Sequence, residues 1–183
     1  MPKTFPGTTI EVTKIEKGSS RVLFDGIFAA GGITLSQVAV MTGLEPYMIQ
    51  NWVKRGFVSS PVKRLYSKQQ FARIIIINML KESLQLEHIC ELIREIEGVI
   101  SDPDDDLICD SELYHRYVDM LSEGISSLND SEVSSAAEHA TADFVQKQPS
   151  GKRRLERILQ VMFYAHVAAD MRRKAEEIFS TLK

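Results

Sequence analysis

Five polar side chains on one short predicted helix have the chemistry to read a nucleic acid. The helix is predicted to begin at Pro46, which suits a first helical turn, and to end at Gly56. Two amides can each make paired hydrogen bonds to adenine, two cations can reach guanine or phosphate, and a phenol adds a hydroxyl. The alternative is that they form only the solvated face of an amphipathic helix. The residues are Tyr47, Gln50, Asn51, Lys54 and Arg55.

A second group of polar residues follows in residues 57–66, a stretch too short for a domain and too apolar for a plain linker. We predict a small two-stranded wing here, with Pro61 at its tip. The residues expected to grip phosphates and fix the position of the protein are Lys63, Arg64, Tyr66 and Lys68. For Tyr66 the alternative is a packing role, with its hydroxyl reaching only solvent.

Two capping boxes place the helices around these residues. Thr34 with Gln37, and Ser67 with Gln70, have the spacing in which a hydroxyl and an amide satisfy free N–H groups at a helix start. The first predicted helix ends at Gly43 and is joined to the Pro46 helix by a four-residue turn. Two short helices so joined have the dimensions of a helix-turn-helix.

The order of these segments resembles a known family. Ile33-Thr34-Leu35-Ser36-Gln37-Val38-Ala39-Val40-Met41-Thr42-Gly43-Leu44 is similar to the opening of a MerR-type winged helix-turn-helix, and the run from Met48 to Val58 resembles its recognition helix and exit. Arg64-Leu65-Tyr66-Ser67 resembles the close of its wing, and the segment from Leu84 to Ile93 resembles the element that follows. Over residues 33–97 the resemblance implies a transcriptional regulator that binds double-stranded DNA.

The chain departs from that family at two places. The family's recognition helix usually carries Arg-Tyr-Tyr where this chain has Gln50-Asn51-Trp52, so a base preference does not carry over. The family also dimerises through a long helix after the wing, whereas Pro103 and four aspartates interrupt the chain at 102–106. We therefore predict a domain boundary at that interruption.

The formal net charge of −3 conceals a strong sorting of charge along the chain. Residues 46–81 contain seven basic and no acidic residues, whereas residues 82–150 contain 17 acidic and three basic ones. The first of these segments would attract a polyanion and the second would repel it. This sorting favours DNA contact through the segment that contains the predicted recognition helix and wing.

The expected fold is mostly α, with an N-terminal MerR-like winged helix-turn-helix followed by a C-terminal helical region. The predicted divisions are an extension at 1–32 with no assigned function, a DNA-binding domain at 33–100, and a helical dimerisation or effector region at 107–183. Three helices are expected in that last region, at about 111–128, 131–147 and 152–181. The final one carries an apolar seam that we expect to join two copies as a homodimer, although packing inside its own chain is the alternative. The seam residues are Leu155, Ile158, Leu159 and Met162.

Several functional classes have no support in the sequence. The chain lacks the phosphate-binding, dinucleotide-binding, zinc-protease and nucleophile-elbow motifs, so we predict no enzyme and no cofactor. His88 and Cys90 are two apart, which is poor spacing for a metal site on a helix, and no metal is expected.

Two cysteines and no long apolar stretch indicate a cytoplasmic protein without membrane contact. An unidentified small-molecule effector is a candidate further partner, and core packing of the aromatic residues in the C-terminal half is the alternative to an effector pocket there. The alternative function is a helical interaction module or an excisionase-like architectural factor.

Overall fold

The computed structural model describes residues 3–95, 108–125, 128–145 and 150–182. This part of the chain is mostly helical, as predicted, with two small two-stranded sheets. The helices are α1 (Ser19–Ile27), α2 (Leu35–Thr42), α3 (Pro46–Lys54), α4 (Lys68–Leu80), α5 (Leu86–Arg94), α6 (Asp110–Ser122), α7 (Asp130–Ala140) and α8 (Gly151–Ser180). The strands are β1 (Lys3–Thr4), β2 (Glu11–Val12), β3 (Ile33–Thr34) and β4 (Leu65–Tyr66). Both pairs, β1 with β2 and β3 with β4, are antiparallel.

Both predicted capping boxes are present. The backbone N–H of Gln37 donates to the Thr34 hydroxyl at 3.3 Å, and the Gln37 amide oxygen accepts from the Thr34 N–H at 2.8 Å. Ser67 and Gln70 repeat this arrangement with the same two distances. Because each box satisfies N–H groups that a helix start leaves free, α2 and α4 begin at fixed residues.

Helix α4 lies at the centre of the hydrophobic core. Its four consecutive isoleucines, 74–77, are all fully buried, so other elements cover this helix on several sides. It packs against α6 and α8 on one part of its surface and against α2 and α5 on another. The buried apolar side chains on both sides of the predicted boundary belong to one cluster. The boundary itself, at 101–106, lies outside the described residues and stays a prediction.

The segment before residue 33 is part of this core. Phe24 of α1 is fully buried and stacks on Tyr114 of α6 with 5.6 Å between ring centres. Arg21 donates to Asp119 at 2.6 Å and to Glu112 at 2.8 Å, which fastens α1 to α6. The segment that the sequence left without a role therefore supports the helices that follow it.

A buried histidine lies in the same contact. His115 of α6 is hydrogen-bonded through Nδ1 to the Ser20 hydroxyl at 2.9 Å, and its ring meets Phe24 edge-on. Burial, together with the charge of Arg21, lowers the pKa of His115 to about 4. The imidazole is therefore neutral near pH 7 and serves the core as an uncharged polar group.

The last helix, α8 (Gly151–Ser180), lies where the sequence predicted it, but the two helices before it are shorter than their apolar patterns indicated. Helix α6 ends at Ser122 instead of residue 128, because Gly124 follows in a left-handed conformation with φ 71°. Helix α7 ends at Ala140, and the Thr141 hydroxyl donates back to the Ala137 carbonyl at 3.0 Å. The predicted end of this helix at 147 lies outside the described residues.

The predicted dimer seam is occupied within its own chain. Its four side chains are at most 3% exposed, because α8 packs its first half against α4, α6 and α7. They stabilise the monomer fold, and so their assignment as the principal dimer contact is corrected. They are Leu155, Ile158, Leu159 and Met162.

Candidate nucleic-acid interface

The turn between α2 and α3 has a well-defined geometry. Gly43 is left-handed, with φ 68°, and its N–H donates to the Ala39 carbonyl at 2.9 Å. The Thr42 hydroxyl also donates to the Val38 carbonyl, at 2.7 Å. Leu44 is buried after the turn, and α3 starts at Pro46 as predicted. This turn therefore fixes the direction in which α3 leaves α2.

Two other elements hold this turn from behind. Thr9, in the N-terminal hairpin, donates through its N–H to the Met41 carbonyl and through its hydroxyl to the Val40 carbonyl, both at 2.8 Å. The side-chain amide of Asn78 on α4 donates to the carbonyls of Thr42 and Gly7, each at 2.9 Å. Sequence reasoning missed Asn78, although an amide within the apolar run of α4 is a recognisable signal of a buried polar contact.

The outward face of α3 presents the predicted recognition residues to solvent. Its inward face buries Ile49 and Trp52, which are both part of the hydrophobic core. The opposite face carries the predicted base-reading and phosphate-binding side chains, and the Tyr47 side chain is 68% exposed. The exposed residues of this face are Tyr47, Gln50, Asn51 and Lys54.

The wing segment forms a tighter hairpin than predicted. Val62 and Leu65 exchange backbone hydrogen bonds of 3.1 and 2.9 Å, so the two residues between them form the turn. Those residues are Lys63 and Arg64, with φ 49° and 65°, and Pro61 lies before the turn instead of at its tip. Beyond the turn, Leu65 and Tyr66 pair with β3, the strand that precedes α2. The turn thus presents two adjacent cations at the end of a hairpin.

Gln70 fastens the segment before the hairpin to α4. Its amide nitrogen donates to the carbonyls of Ser59 and Ser60, both at 2.9 Å, while its oxygen completes the Ser67 capping box at 2.8 Å. The sequence predicted only the contact of Gln70 with Ser67. The contacts with Ser59 and Ser60 depend on how the preceding loop packs against α4, and no local pattern shows that packing.

Three of the predicted cations are exposed and have no ion pair within the described residues: Lys54, Lys63 and Arg64.

Two other predicted cations have partners within the chain. Arg55 donates to Glu87 at 3.1 Å and lies 4.4 Å from the centre of the Phe57 ring. Lys68 is paired with Asp25 at 3.1 Å. Exposed pairs of this kind stabilise a fold by at most about 1 kcal/mol, so a phosphate could replace either carboxylate.

Tyr66 does not belong to the interface. Its side chain is 3% exposed and part of the hydrophobic cluster, because the strand pairing of β4 turns it inward. Burial raises the pKa of its hydroxyl. Its predicted phosphate contact is therefore wrong, and the packing alternative describes it correctly.

Comparison with known proteins gives two matches. Residues 33–117 are similar to a family described as a domain of unknown function, DUF1836. The matched segment runs from β3 into α6 and includes the whole candidate interface. The chain is also 28% identical over 117 residues to YkrK, an uncharacterised protein of Bacillus subtilis strain 168, covering 60% of this chain.

Neither match names a molecular activity. The chain spans about half the length of the curated relative, 50% of it. No solved structure matches the chain. Neither matched description mentions MerR-type regulators, so that resemblance stays a proposal.

Within the described residues, no helix combines the length and the apolar character needed to cross a membrane.

Proposed function

We propose that this chain is a sequence-specific DNA-binding transcriptional regulator with a MerR-like winged helix-turn-helix. In this proposal α2 and α3 are the two helices of the motif, and α3 lies in the major groove. The hairpin turn at 63–64 is the wing and contacts phosphates beside that groove. The protein has no catalytic role in this account.

The observation that carries the proposal is the hairpin turn. A two-residue turn of this kind requires positive φ at both central residues and favours Asn-Gly, yet this chain has Lys63-Arg64. Left-handed backbone at a residue other than glycine costs about 1–2 kcal/mol. Such strain tends to persist where the side chains have a use outside the fold. Two exposed cations at this position are suited to a polyanion.

The recognition helix supplies the second line of support. Gln50 and Asn51 are exposed on the face opposite Ile49 and Trp52, and no hydrogen bond within the described residues occupies their amides. Free amides on the solvent side of a short helix can pair with adenine edges in a major groove about 12 Å wide. Lys54 extends the same face by one turn.

Substitutions on the helix and on the hairpin are expected to have different effects. Gln50→Ala and Asn51→Ala should relax base preference at individual positions, because a paired amide contact contributes about 1–3 kcal/mol of discrimination. Arg64→Ala should weaken binding to all sequences alike, since phosphate contacts carry no direct sequence information. Selection from a random duplex pool, followed by competition binding, measures both effects. If Arg64→Ala lost as much base preference as Gln50→Ala or Asn51→Ala, the assignment of the hairpin to phosphate contacts would be contradicted.

The homodimer prediction now rests on the end of α8 and the residues that directly follow it. From residue 170 to 182 every described position is exposed. Small or apolar residues recur there at alternating steps of four, three and four, which is the spacing of a coiled-coil seam. They are Met171, Ala175, Ile178 and Leu182. A second copy would cover this stripe and bring two recognition helices to two half-sites.

Breaking the stripe should therefore produce a monomer without unfolding the chain. Met171→Glu with Ile178→Glu is expected to halve the mass measured by light scattering while the helical content is retained. Ser180→Glu, on the opposite side of the same helix, is the matched control and should remain dimeric. A double variant that stays dimeric would move the interface elsewhere.

The alternative function is a helical protein-interaction module without regulatory activity of its own. The observation that favours it is the same exposed end of α8, which would dock on a different protein instead of a second copy. A low-salt gel shift separates the two readings. Retained DNA supports the regulator, and no retention on any fragment favours the interaction module.

A further inference from the structure

A cavity of about 820 Å³ lies behind the turn that joins α2 and α3. Thr42 and Gly43 of that turn form one wall, and the N-terminal hairpin around Gly7 forms another. The floor includes Asn78, and α8 closes the far side with His166. A volume of this size is typical of sites for small molecules.

The cavity contains a lysine that makes no ion pair within the described residues. Lys81 follows α4 and is half-buried, and burial lowers the pKa of its ammonium group, although the charge of the neighbouring Glu82 acts in the opposite direction. No carboxylate of the described residues forms an ion pair with it. Lys3 of β1, on the same cavity wall, also has no ion pair in the described part of the chain. Lys3 is exposed and Lys81 is half-buried, and a partly buried cation normally has a partner because its desolvation is unfavourable.

The acidic residues of the cavity are already engaged. Glu82 accepts from Arg173 at 3.5 Å, and Asp170 pairs with the same arginine. Asp170 also lies 3.8 Å from Nε2 of His166, whose Nδ1 is hydrogen-bonded to the Tyr117 hydroxyl at 2.8 Å. Arg173 pairs with both carboxylates, so Lys81 and Lys3 are the cations of the cavity lining that have no ion pair among the described residues.

We propose that this cavity binds a small molecule bearing a phosphate or carboxylate group, with Lys81 and Lys3 as the anion contacts. Asn78 lies in the cavity floor and donates to the Thr42 carbonyl, so an occupant would touch the side chain that positions the turn. A bound ligand should therefore change the environment of the Gly43 backbone amide. The site goes beyond the proposed function, since it binds its ligand whether or not α3 contacts DNA.

Titration with two probes, inorganic pyrophosphate and citrate, tests the site in the full chain. Calorimetry should show saturable binding of at least one probe, and NMR should show shifts at the Gly43 amide and the Asn78 side-chain amide. Binding of pyrophosphate alone would assign a phosphate ligand, and binding of citrate alone a carboxylate ligand. No saturable binding of either probe overturns the proposal.

Variants connect that binding to the two lysines. Lys81→Met retains most of the side-chain volume without its charge and should weaken binding at least tenfold, and Lys3→Met provides a second variant that leaves α4 untouched. Lys14→Met, which removes an exposed cation paired with Glu16, is the matched control and should bind as the unaltered chain does. Affinity unchanged in both Lys81→Met and Lys3→Met overturns the assignment.

Discussion

Reversing the charge of the hairpin turn is expected to weaken DNA binding by about 100-fold or more. The variant is Lys63→Glu with Arg64→Glu. Hydrogen bonds to charged groups contribute about 1.5–3 kcal/mol each, and a factor of ten in affinity corresponds to about 1.4 kcal/mol. Losing two such contacts gives the lower bound, and repulsion between the new carboxylates and phosphates adds to it. Fluorescence anisotropy with a labelled duplex measures the change.

The control for this experiment carries the same charge change elsewhere. Lys14→Glu with Lys17→Glu alters two exposed cations of the N-terminal segment, away from α3 and the hairpin. It should weaken binding only slightly, through the net charge of the whole protein. Equal losses in the two double variants would mean that overall charge, and not the hairpin, governs binding.

Gly7→Ala is expected to destabilise the fold by about 3 kcal/mol or more. Gly7 has φ 72°, and a Cβ atom added there would lie 2.2 Å from the Ile75 carbonyl oxygen. The left-handed backbone costs about 1–2 kcal/mol with a side chain, and forced overpacking adds about 1–3 kcal/mol. For a chain of this size, the midpoint temperature of thermal unfolding should fall by roughly 6–12 °C.

The matched control is Gly18→Ala. Gly18 has a similar φ of 79°, but a Cβ atom there would meet nothing within 4 Å. Only the backbone cost remains, so this variant should lose about 1–2 kcal/mol. The difference between the two variants isolates the close approach of the N-terminal hairpin to α4. Equal midpoints would show that the hairpin does not pack on α4 as described.

Local signals in the sequence predicted the local structure well. Capping boxes, Pro46 and Gly43 fixed where α2, α3 and α4 begin or end, because these features depend on residues only a few positions apart. The exposed face of α3 followed from the same periodicity, since Ile49 and Trp52 had to point inward.

Two of the errors arose where distant parts of the chain meet. Tyr66 is buried because β4 pairs with β3, a strand 32 residues earlier, and no local pattern shows that pairing. The apolar seam of α8 has the same spacing whether it packs on a second copy or on α4, α6 and α7 of its own chain. The left-handed turn at Lys63 and Arg64 was missed because these residues are poor formers of such a turn.

The salt dependence of DNA binding tests most directly whether α3 and the hairpin turn form a DNA interface. Lys54, Lys63 and Arg64 are exposed cations without ion pairs in the described residues, and each phosphate they neutralise contributes about −0.9 to the slope of log affinity against log salt. We expect a slope of about −3 per protomer between roughly 50 and 200 mM salt. The slope should be steeper for a dimer, or if Arg55 and Lys68 exchange their carboxylates for phosphates. The probe is a labelled duplex selected from a random pool. A slope shallower than about −2, or no retained duplex at low salt, would contradict the account.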